Sequence, residues 1–512
     1  MGTTKNCTDC HISKQNDNNA IMTQLLGFGN GSVNFFGRYA YVGAGKEGLY
    51  GVIWTEQEEP QAAIGSHLQK LAYPDNFKAH ADKNKGQLKE AYHHHAREIL
   101  DLTLRGEYLY TANGADGFEV FDVANIDQKG FSERIVTAPV SPLGQRTYVK
   151  TKYATSVTLP STLGIDPLRT RNPENEEQPI HLAYAYVYIT DKLEGLVMVN
   201  VGTLVDGDPA NNFLKKDIVF NPDGWLNGAT HSFLAGRYLY VTADKGLLVI
   251  DVDKPSEPRL VGRYIGDFLK YPRAVALQFR YLFVTDSEGL KVLDVTKPTE
   301  PKPVTGGVLK LANAQRFYLA RTYAYVANGA EGLAIVDIEK PEQPKLDQMF
   351  NAGGVLNDTR AVQIGAVNAS MFALVADGKN GLRVIQVISP ENVPQHMGFS
   401  PKPNPKLIAT YPTSGPAVAV SRGLDRDRVV DESGNQTVVF GRRGARPFNK
   451  TEMEKFYLRN GQPYAVEDVV LNNGQLQTRS GQALKPNEQF KPMDESAATK
   501  PVAQERLIRR GK

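Results

Sequence analysis

The chain has 512 residues, of which 41% are hydrophobic and 22% are charged, and its formal net charge is only +3. So small a charge gives no indication of a nucleic-acid partner, and no run approaching 18 apolar residues predicts a transmembrane helix. The 46 glycines and 30 prolines, with abundant Tyr and Phe, are typical of short strands joined by tight turns.

The N-terminal segment, residues 1–29, contains both cysteines of the chain. Cys7 and Cys10 are spaced by two residues and are followed directly by His11. This pattern is typical of c-type haem attachment, in which the two thiols add to the haem vinyl groups and the histidine ligates the iron. The alternatives are a redox dithiol, which lacks a strand-to-helix context, a zinc site, which lacks further ligands, and an unused pair of surface cysteines. The motif predicts one covalent haem c.

The haem motif also predicts a compartment. Haem c is attached outside the cytoplasm, so we expect an extracytoplasmic protein, in the periplasm or on the cell surface. Residues 1–24 are polar and lack the apolar core of a secretory signal, and six residues before Cys7 are too few for a cytochrome domain. We therefore expect the sequence to be the C-terminal part of a longer product with an upstream signal and further haem groups.

Residues 30–415 contain seven copies of one pattern. Residues 238–252, YLYVTADKGLLVIDV, recur in related form at 281–295 and 323–338, and looser copies begin at four further positions. Each copy alternates aromatic and β-branched residues, reaches a turn that closes on glycine, and continues as a second apolar strand, which predicts a β-hairpin. The seven copies start at Tyr39, Tyr108, Tyr186, Tyr238, Tyr281, Tyr323 and Met371.

The repeat length identifies the architecture. Three copies end in Asp-[Val/Ile]-x-Lys-Pro-x-x-Pro, which marks a loop before an outer strand, and an apolar run such as 274–277 precedes each hairpin. Four strands in about 42 residues are typical of a propeller blade. We predict an all-β, seven-bladed β-propeller with helical and loop insertions. An open β-solenoid is the alternative, but its coils are shorter.

The repeats resemble a known family. Residues 333–337, LAIVD, and 248–251, LVID, are similar to the signature of the LVIVD-repeat β-propeller proteins. Together with the N-terminal motif, the chain resembles the C-terminal part of a c-type, multihaem cytochrome fused to an LVIVD propeller. The resemblance implies the propeller fold and makes an upstream cytochrome region the expected neighbour. It implies no particular reaction.

Two insertions interrupt the first blades. Residues 83–102 carry apolar residues at spacings of three and four, which predicts a helix, and residues 139–179 are predicted to be a loop. The predicted helix contains His93, His94 and His95. One of these imidazoles is a candidate distal haem ligand, or a neighbouring pair is a candidate metal site, whereas three solvated histidines are the alternative.

Basic residues precede several predicted innermost strands. His231, Arg273 and Arg360 hold this position, with Arg97 and Arg316 as further members. Because innermost strands line a propeller's central channel, these residues are candidates for a ligand site at the channel mouth. The alternative is that they cap strand ends by bonding to neighbouring carbonyl groups.

Residues 416–512 form a C-terminal extension without the repeat. Residues 418–420 and 437–440 are predicted strands, 450–459 a short helix, and the tail from Leu484 is polar and predicted to be partly disordered.

Three functions are compatible with these features. The first is an extracytoplasmic haem-c propeller that transfers electrons or docks a redox partner, either a separate protein or an upstream cytochrome domain. The second is a propeller oxidoreductase with its substrate at the channel mouth. The third is a non-catalytic structural or adhesive propeller. The familiar phosphate-binding, nucleophile-elbow, zinc-protease and dinucleotide motifs are missing from the sequence, so no catalytic residue is predicted.

Overall fold

The structure is a computed structural model, and the part of the chain that it describes consists of β-strands and the turns that join them, with almost no helix. The described residues are 38–55, 78, 86–95, 97–105, 108–122, 136–137, 148–160, 185–202, 214–367, 370–389 and 400–421, together with eight short strands between residues 429 and 478.

Seven antiparallel sheets form the blades of the propeller. Blade 1 contains β1 (Arg38–Gly43), β2 (Leu49–Thr55) and β3 (Lys89–His94). Blade 2 contains β4 (Asp101–Arg105), β5 (Tyr108–Ala112), β6 (Phe118–Asp122), β7 (Val136–Thr137) and β8 (Tyr148–Val149). Blade 3 contains β9 (Ala154–Thr158), β10 (Tyr186–Asp191), β11 (Gly195–Asn200) and β12 (Lys215–Phe220).

The remaining four blades are regular four-stranded sheets. Blade 4 contains β13 (His231–Ala235), β14 (Tyr238–Ala243), β15 (Gly246–Asp251) and β16 (Arg259–Tyr264). Blade 5 contains β17 (Ala274–Gln278), β18 (Tyr281–Asp286), β19 (Gly289–Asp294) and β20 (Lys302–Lys310). Blade 6 contains β21 (Phe317–Ala320), β22 (Tyr323–Ala327), β23 (Leu333–Asp337) and β24 (Lys345–Phe350). Blade 7 contains β25 (Ala361–Val367), β26 (Ser370–Ala376), β27 (Leu382–Ile388) and β28 (Lys406–Tyr411).

A strand from the end of the propeller closes the ring. β29 (Ala419–Val420) pairs antiparallel with β1 and supplies the innermost strand that blade 1 otherwise lacks. Ser421 extends this contact, since its Oγ accepts a hydrogen bond from the Tyr41 amide at 3.0 Å. The ring is therefore sealed by backbone pairing between residues almost 380 positions apart.

The seven predicted hairpins are confirmed as the two middle strands of the seven blades. In five blades the second strand begins at the Tyr that marks the start of the repeat in the sequence. In blades 1 and 7 the second strand begins one residue earlier, before Tyr39 and Met371. The apolar side chains of these hairpins are buried between neighbouring blades, among them Tyr240, Val249, Phe283, Val292, Tyr325 and Ile335.

The predicted insertion elements are wrong. Residues 83–102 are not a helix, since they contain the outer strand β3 and the start of the inner strand β4. Their helix-like spacing arises because Leu88 packs against blade 7, whereas Ile99 and Leu102 pack between blades 1 and 2. The segment 139–179 likewise contains β8 and β9 in its described part, so it is not simply a loop.

In the C-terminal extension the described residues form four short hairpins, and Leu458–Arg459 is a strand rather than the end of the predicted helix. The hairpin strands are Val429–Val430 with Gln436–Val438, Arg442–Arg443 with Arg446–Pro447, Leu458–Arg459 with Gln462–Pro463, and Val469–Asn472 with Gln475–Thr478. Two single-turn 3-10 helices, Pro222–Gly224 and Ala352–Gly354, precede inner strands of the propeller.

A buried Asp or Asn recurs at or just after the end of the second strand. Its side chain accepts a hydrogen bond from a backbone amide in the loop that enters the innermost strand of the same blade. In blades 3, 5, 6 and 7 these bonds tie two loops of the blade together without relying on solvent. They are Tyr153 to Asp191 (2.6 Å), Lys270 to Asp286 (2.8 Å), Asn313 to Asn328 (2.9 Å) and Asp358 to Asp377 (2.8 Å).

The turn after Asp286 supplies a test of the repeat. Gly289 has φ of 143°, and a Cβ there would lie 2.1 Å from the Leu309 carbonyl oxygen, so the Gly289→Ala change should destabilise the propeller by about 2 kcal/mol or more. Gly236→Ala is the matched control, because φ is also positive there but nothing lies within 4 Å. Thermal unfolding of both variants measures the difference. Equal melting temperatures would contradict the close approach at Gly289.

Candidate functional site

The central channel is lined by the seven innermost strands, and neighbouring strands contact one another around a complete circle. In order around the ring these strands are β29, β4, β9, β13, β17, β21 and β25. We call the face at which they begin the entry face and the face at which they end the exit face.

Arg316 spans the channel near its entry face. It precedes β21 in blade 6, yet its Nη1 lies 3.1 Å from Asp101 Oδ2 in blade 2 and 3.4 Å from Ser156 Oγ in blade 3. Its Nη2 lies 3.5 Å from the Thr155 carbonyl oxygen. The guanidinium therefore links blades on opposite sides of the ring and occupies the channel at this level.

Asp101 is the acceptor at the centre of this contact. Its Oδ2 also accepts hydrogen bonds from Ser156 Oγ at 2.6 Å and from the Val157 amide at 3.1 Å. The Arg316 and Asp101 side chains are 23% and 13% exposed, so the ion pair is largely removed from water. Sequence reasoning missed Asp101, since it assigned the start of this inner strand to Arg97, which instead lies over the Tyr148 ring.

His231 faces the same cross-channel contact from blade 4. Its Nδ1 accepts a hydrogen bond from the Val275 amide at 3.2 Å, which joins blades 4 and 5. Burial, and then the positive charge of Arg316, hold the pKa of His231 well below the usual range. The imidazole is therefore neutral, which is compatible with a cation beside it.

The two arginines predicted beside His231 bind to their own neighbours. Arg273 Nη1 donates to Asn313 Oδ1 and to the Ala314 carbonyl, both at 2.8 Å, and so caps the loop that enters blade 6. Arg360 forms a two-pronged pair with Asp358 at 3.2 and 3.1 Å. Arg273 therefore ties blade 5 to blade 6, whereas Arg360 pairs within the loop that enters blade 7. A ligand site formed by these basic residues stays a prediction.

The three adjacent histidines end the outer strand of blade 1. The His93 ring stacks on Tyr50 at 3.9 Å, and its Nε2 lies 2.6 Å from the Glu47 carbonyl oxygen. The exposed His95 ring lies 4.1 Å from that of His93. His94 points to the other face, where its edge meets Phe121 at 5.1 Å and where burial lowers its pKa. The strand therefore brings His93 and His95 together and separates His94 from them.

Cys7, Cys10 and His11, which the sequence predicts to attach a haem, lie outside the described residues. Where the structure does describe the chain, no cluster of three or more His, Cys, Asp or Glu side chains is arranged to hold a metal ion. A helix long and apolar enough to cross a bilayer is likewise missing from this part.

Comparison with known families identifies the repeat. Three segments match the LVIVD repeat, residues 232–265, 271–305 and 313–351. They correspond to blades 4, 5 and 6, which are the most regular copies of the hairpin pattern. The chain therefore contains LVIVD repeats within a seven-bladed propeller. No curated protein sequence matches it.

Solved propeller structures resemble the chain at low identity. A putative 6-phosphogluconolactonase from Bacteroides fragilis is 11% identical over 76% of this chain and 98% of its own, with a TM-score of 0.43. Apo AztD from Citrobacter koseri is 10% identical over 75% of this chain and 97% of its own, with a TM-score of 0.40. Their names say nothing about the activity of this chain.

The cross-channel ion pair predicts a stability effect. Arg316→Gln leaves Asp101 without its cation in a largely buried place, and we expect a loss of about 1–3 kcal/mol in the free energy of unfolding. Arg273→Gln, which removes a partly buried cap that binds an amide and a carbonyl group and no described carboxylate, should cost less than about 1 kcal/mol. Denaturant unfolding measures both values. If Asp101→Asn costs as much in the Arg316→Gln background as in the wild type, the two side chains are not coupled.

His231 predicts a pH effect. An imidazole with a depressed pKa takes up its proton in the unfolded chain first, so stability falls as pH drops below about 6.5 by up to about 1.4 kcal/mol per pH unit. In His231→Gln this contribution is absent, and we expect the stability lost between pH 7 and pH 5 to shrink by about 1–2 kcal/mol. Unfolding at both pH values measures the slope. An unchanged slope would show that His231 titrates normally.

Proposed function

We propose that this protein is an extracytoplasmic haem-c β-propeller that transfers electrons to, or docks, a redox partner. The single observation that carries the proposal is the sequence of Cys7, Cys10 and His11, which includes both cysteines of the chain. The partner is a separate redox protein or a cytochrome domain upstream in a longer product. The propeller would provide the rigid platform that fixes their relative position.

The side chains of Cys7, Cys10 and His11 are suited to hold a haem covalently. Two thiols separated by two residues can form thioethers with one porphyrin, and the adjacent imidazole of His11 is an axial ligand of the usual kind. When bound, the haem supplies a one-electron redox centre. The thiols hold it through bonds that survive unfolding, so the segment needs no folded cytochrome domain to retain it.

The described histidines differ in their suitability as a second axial ligand. His93 is already engaged with the Glu47 carbonyl, and His94 is packed against Phe121. His95 is exposed at the end of its strand, which makes it the best candidate. The residues between His11 and Arg38 span up to about 90 Å when extended, so the connection permits this pairing.

The contacts of the basic channel residues weigh against an enzyme whose substrate is bound by them. Arg316 occupies the channel between three blades, and Arg273 and Arg360 use donors on neighbouring groups. A substrate would have to replace these bonds before binding there, which costs the desolvation of each separated partner. The oxidoreductase alternative therefore lacks a prepared site among these residues.

The test is expression of the full chain with an added export signal and the haem-maturation machinery. We expect a covalently bound haem that remains with the denatured polypeptide, and its loss in Cys7→Ala/Cys10→Ala because both thioether donors are removed. The double variant should keep the melting temperature of the wild type without haem. Haem absorbance after denaturation and mass spectrometry provide the measurements.

Further variants separate the remaining alternatives. His95→Ala should alter the absorbance of the haem protein, whereas His94→Ala should leave the ligand field unchanged. Reduction of the haem by a small-molecule substrate would favour the oxidoreductase, and reduction by a partner protein favours electron transfer. An exported protein that carries no covalent haem would overturn the proposal.

A further inference from the structure

His93 and His95 form a pair of imidazoles at the end of the outer strand of blade 1. β3 ends at His94 and His95 follows directly, and side chains alternate between the two faces of an extended chain. The rings of His93 and His95 consequently lie on one face, with centroids 4.1 Å apart and planes tilted by 52°. His94 lies on the other face, where its ring meets Phe121. Of the three histidines, only the first and the third can therefore act together.

Hydrogen bonding prepares His93 to act as a metal ligand. Its Nε2 lies 2.6 Å from the Glu47 carbonyl oxygen. A carbonyl oxygen only accepts hydrogen bonds, so Nε2 of the neutral ring carries the hydrogen and Nδ1 keeps its lone pair. Histidines that bind metal ions in proteins typically donate their other ring N–H to a backbone carbonyl or a carboxylate, which fixes the tautomer and the orientation of the ring. The bond to Glu47 supplies this arrangement, with Nδ1 as the nitrogen that can bind an ion.

Tyr50 holds the His93 ring in place. The two rings stack with centroids 3.9 Å apart and planes 11° from parallel, and Tyr50 is 3% exposed. The Tyr50 hydroxyl lies 2.5 Å from Ser414 Oγ and accepts a hydrogen bond from the Ser414 amide at 3.1 Å, which fixes it to the loop that follows blade 7. A ligand whose rotamer is already restrained loses little conformational entropy on binding, so the stack favours binding of an ion by His93.

We propose that His93 and His95 together bind one divalent transition-metal ion. An ion bonded to an imidazole nitrogen at about 2.0–2.1 Å lies about 3.2 Å from the centroid of that ring. Two centroids 4.1 Å apart can therefore share one ion through nitrogens in neighbouring, cis positions of its coordination sphere. Imidazole ligands suit Cu²⁺, Ni²⁺ and Zn²⁺, whereas Ca²⁺ and Mg²⁺ take oxygen ligands. His95 is exposed, so its ring can turn a nitrogen toward the ion, and the remaining positions of the ion stay open to water or a small ligand.

This metal pair goes beyond the proposed haem function and competes with it at one residue. His95 is also the candidate for the second axial haem ligand, and its imidazole binds one metal at a time. The test therefore uses Cys7→Ala/Cys10→Ala as the parent chain, which lacks the thiols for haem attachment and for thiolate binding of an added metal. Failure of the metal pair then leaves the haem proposal untouched, and an exported protein without haem leaves the metal pair untouched.

The experiment is titration of the full-length parent chain with Cu²⁺ in competition with a chelator, followed by electron paramagnetic resonance of the bound ion. Cu²⁺ is the probe because its spectrum reports the bound nitrogens and its tetragonal geometry accepts cis imidazoles. His93→Phe keeps a ring beside Tyr50 but removes both nitrogens, and His95→Ala changes an exposed side chain. We expect each change to weaken binding at least tenfold, whereas His94→Ala, the matched control on the opposite face, should bind as the parent does.

The outcomes separate this pair from copper bound elsewhere in the chain, and thermal unfolding checks that each variant is folded during the titration. Weaker binding in His93→Phe and His95→Ala, with parent-like binding in His94→Ala and two imidazole nitrogens in the parent spectrum, supports the proposal. Equal affinity in the parent and all three variants overturns it, because the ion is then held by other residues. A loss in only one of His93→Phe and His95→Ala, or an equal loss in His94→Ala, also overturns it, since the two imidazoles then do not bind as a pair.

Discussion

Ring closure is the constraint on which the structure depends. An innermost strand contacts its neighbours on both sides, so an open ring would expose the apolar faces of two blades at once. Blade 1 begins with its second strand, and the missing first strand arrives only at Ala419–Val420. The pairing of Gly43 with Ala419 and of Val42 with Val420 therefore joins the two ends of the propeller chain. This long-range pairing makes the fold cooperative, because no blade at the seam is complete alone.

Buried polar side chains also hold the ring together, through hydrogen bonds and ion pairs. The buried Asp or Asn of several blades binds the entry loop of its own blade, and in blades 5 and 7 a strand cation also pairs with it, Lys291 with Asp286 and Arg383 with Asp377. Arg316 extends this principle across the channel to Asp101. A buried polar group without a partner would cost more than such a bond contributes, so these ties specify the arrangement of the blades as well as stabilising it.

The propeller ring and the N-terminal segment with its two cysteines are separate parts of the chain. The repeats form a closed ring whose described polar side chains bind largely to one another, whereas the predicted haem motif precedes the ring by more than 25 residues. Under the proposed function, the ring would be the platform and the N-terminal segment would carry the redox group.

The hairpin of each blade could be predicted from the sequence, because alternation from Tyr281 to Asp286 and a glycine at 289 specify strands and turn locally. The predicted haem motif is local in the same way, since the proposed attachment depends only on the spacing of Cys7, Cys10 and His11. The inner strand β9 and the outer strand β3 were missed, because their residues mix with insertions and become strands through pairing with neighbours. The partners of Arg316, 160 and 215 residues away, could not be inferred either. They meet only because the ring closes and brings opposite blades within one side chain's length.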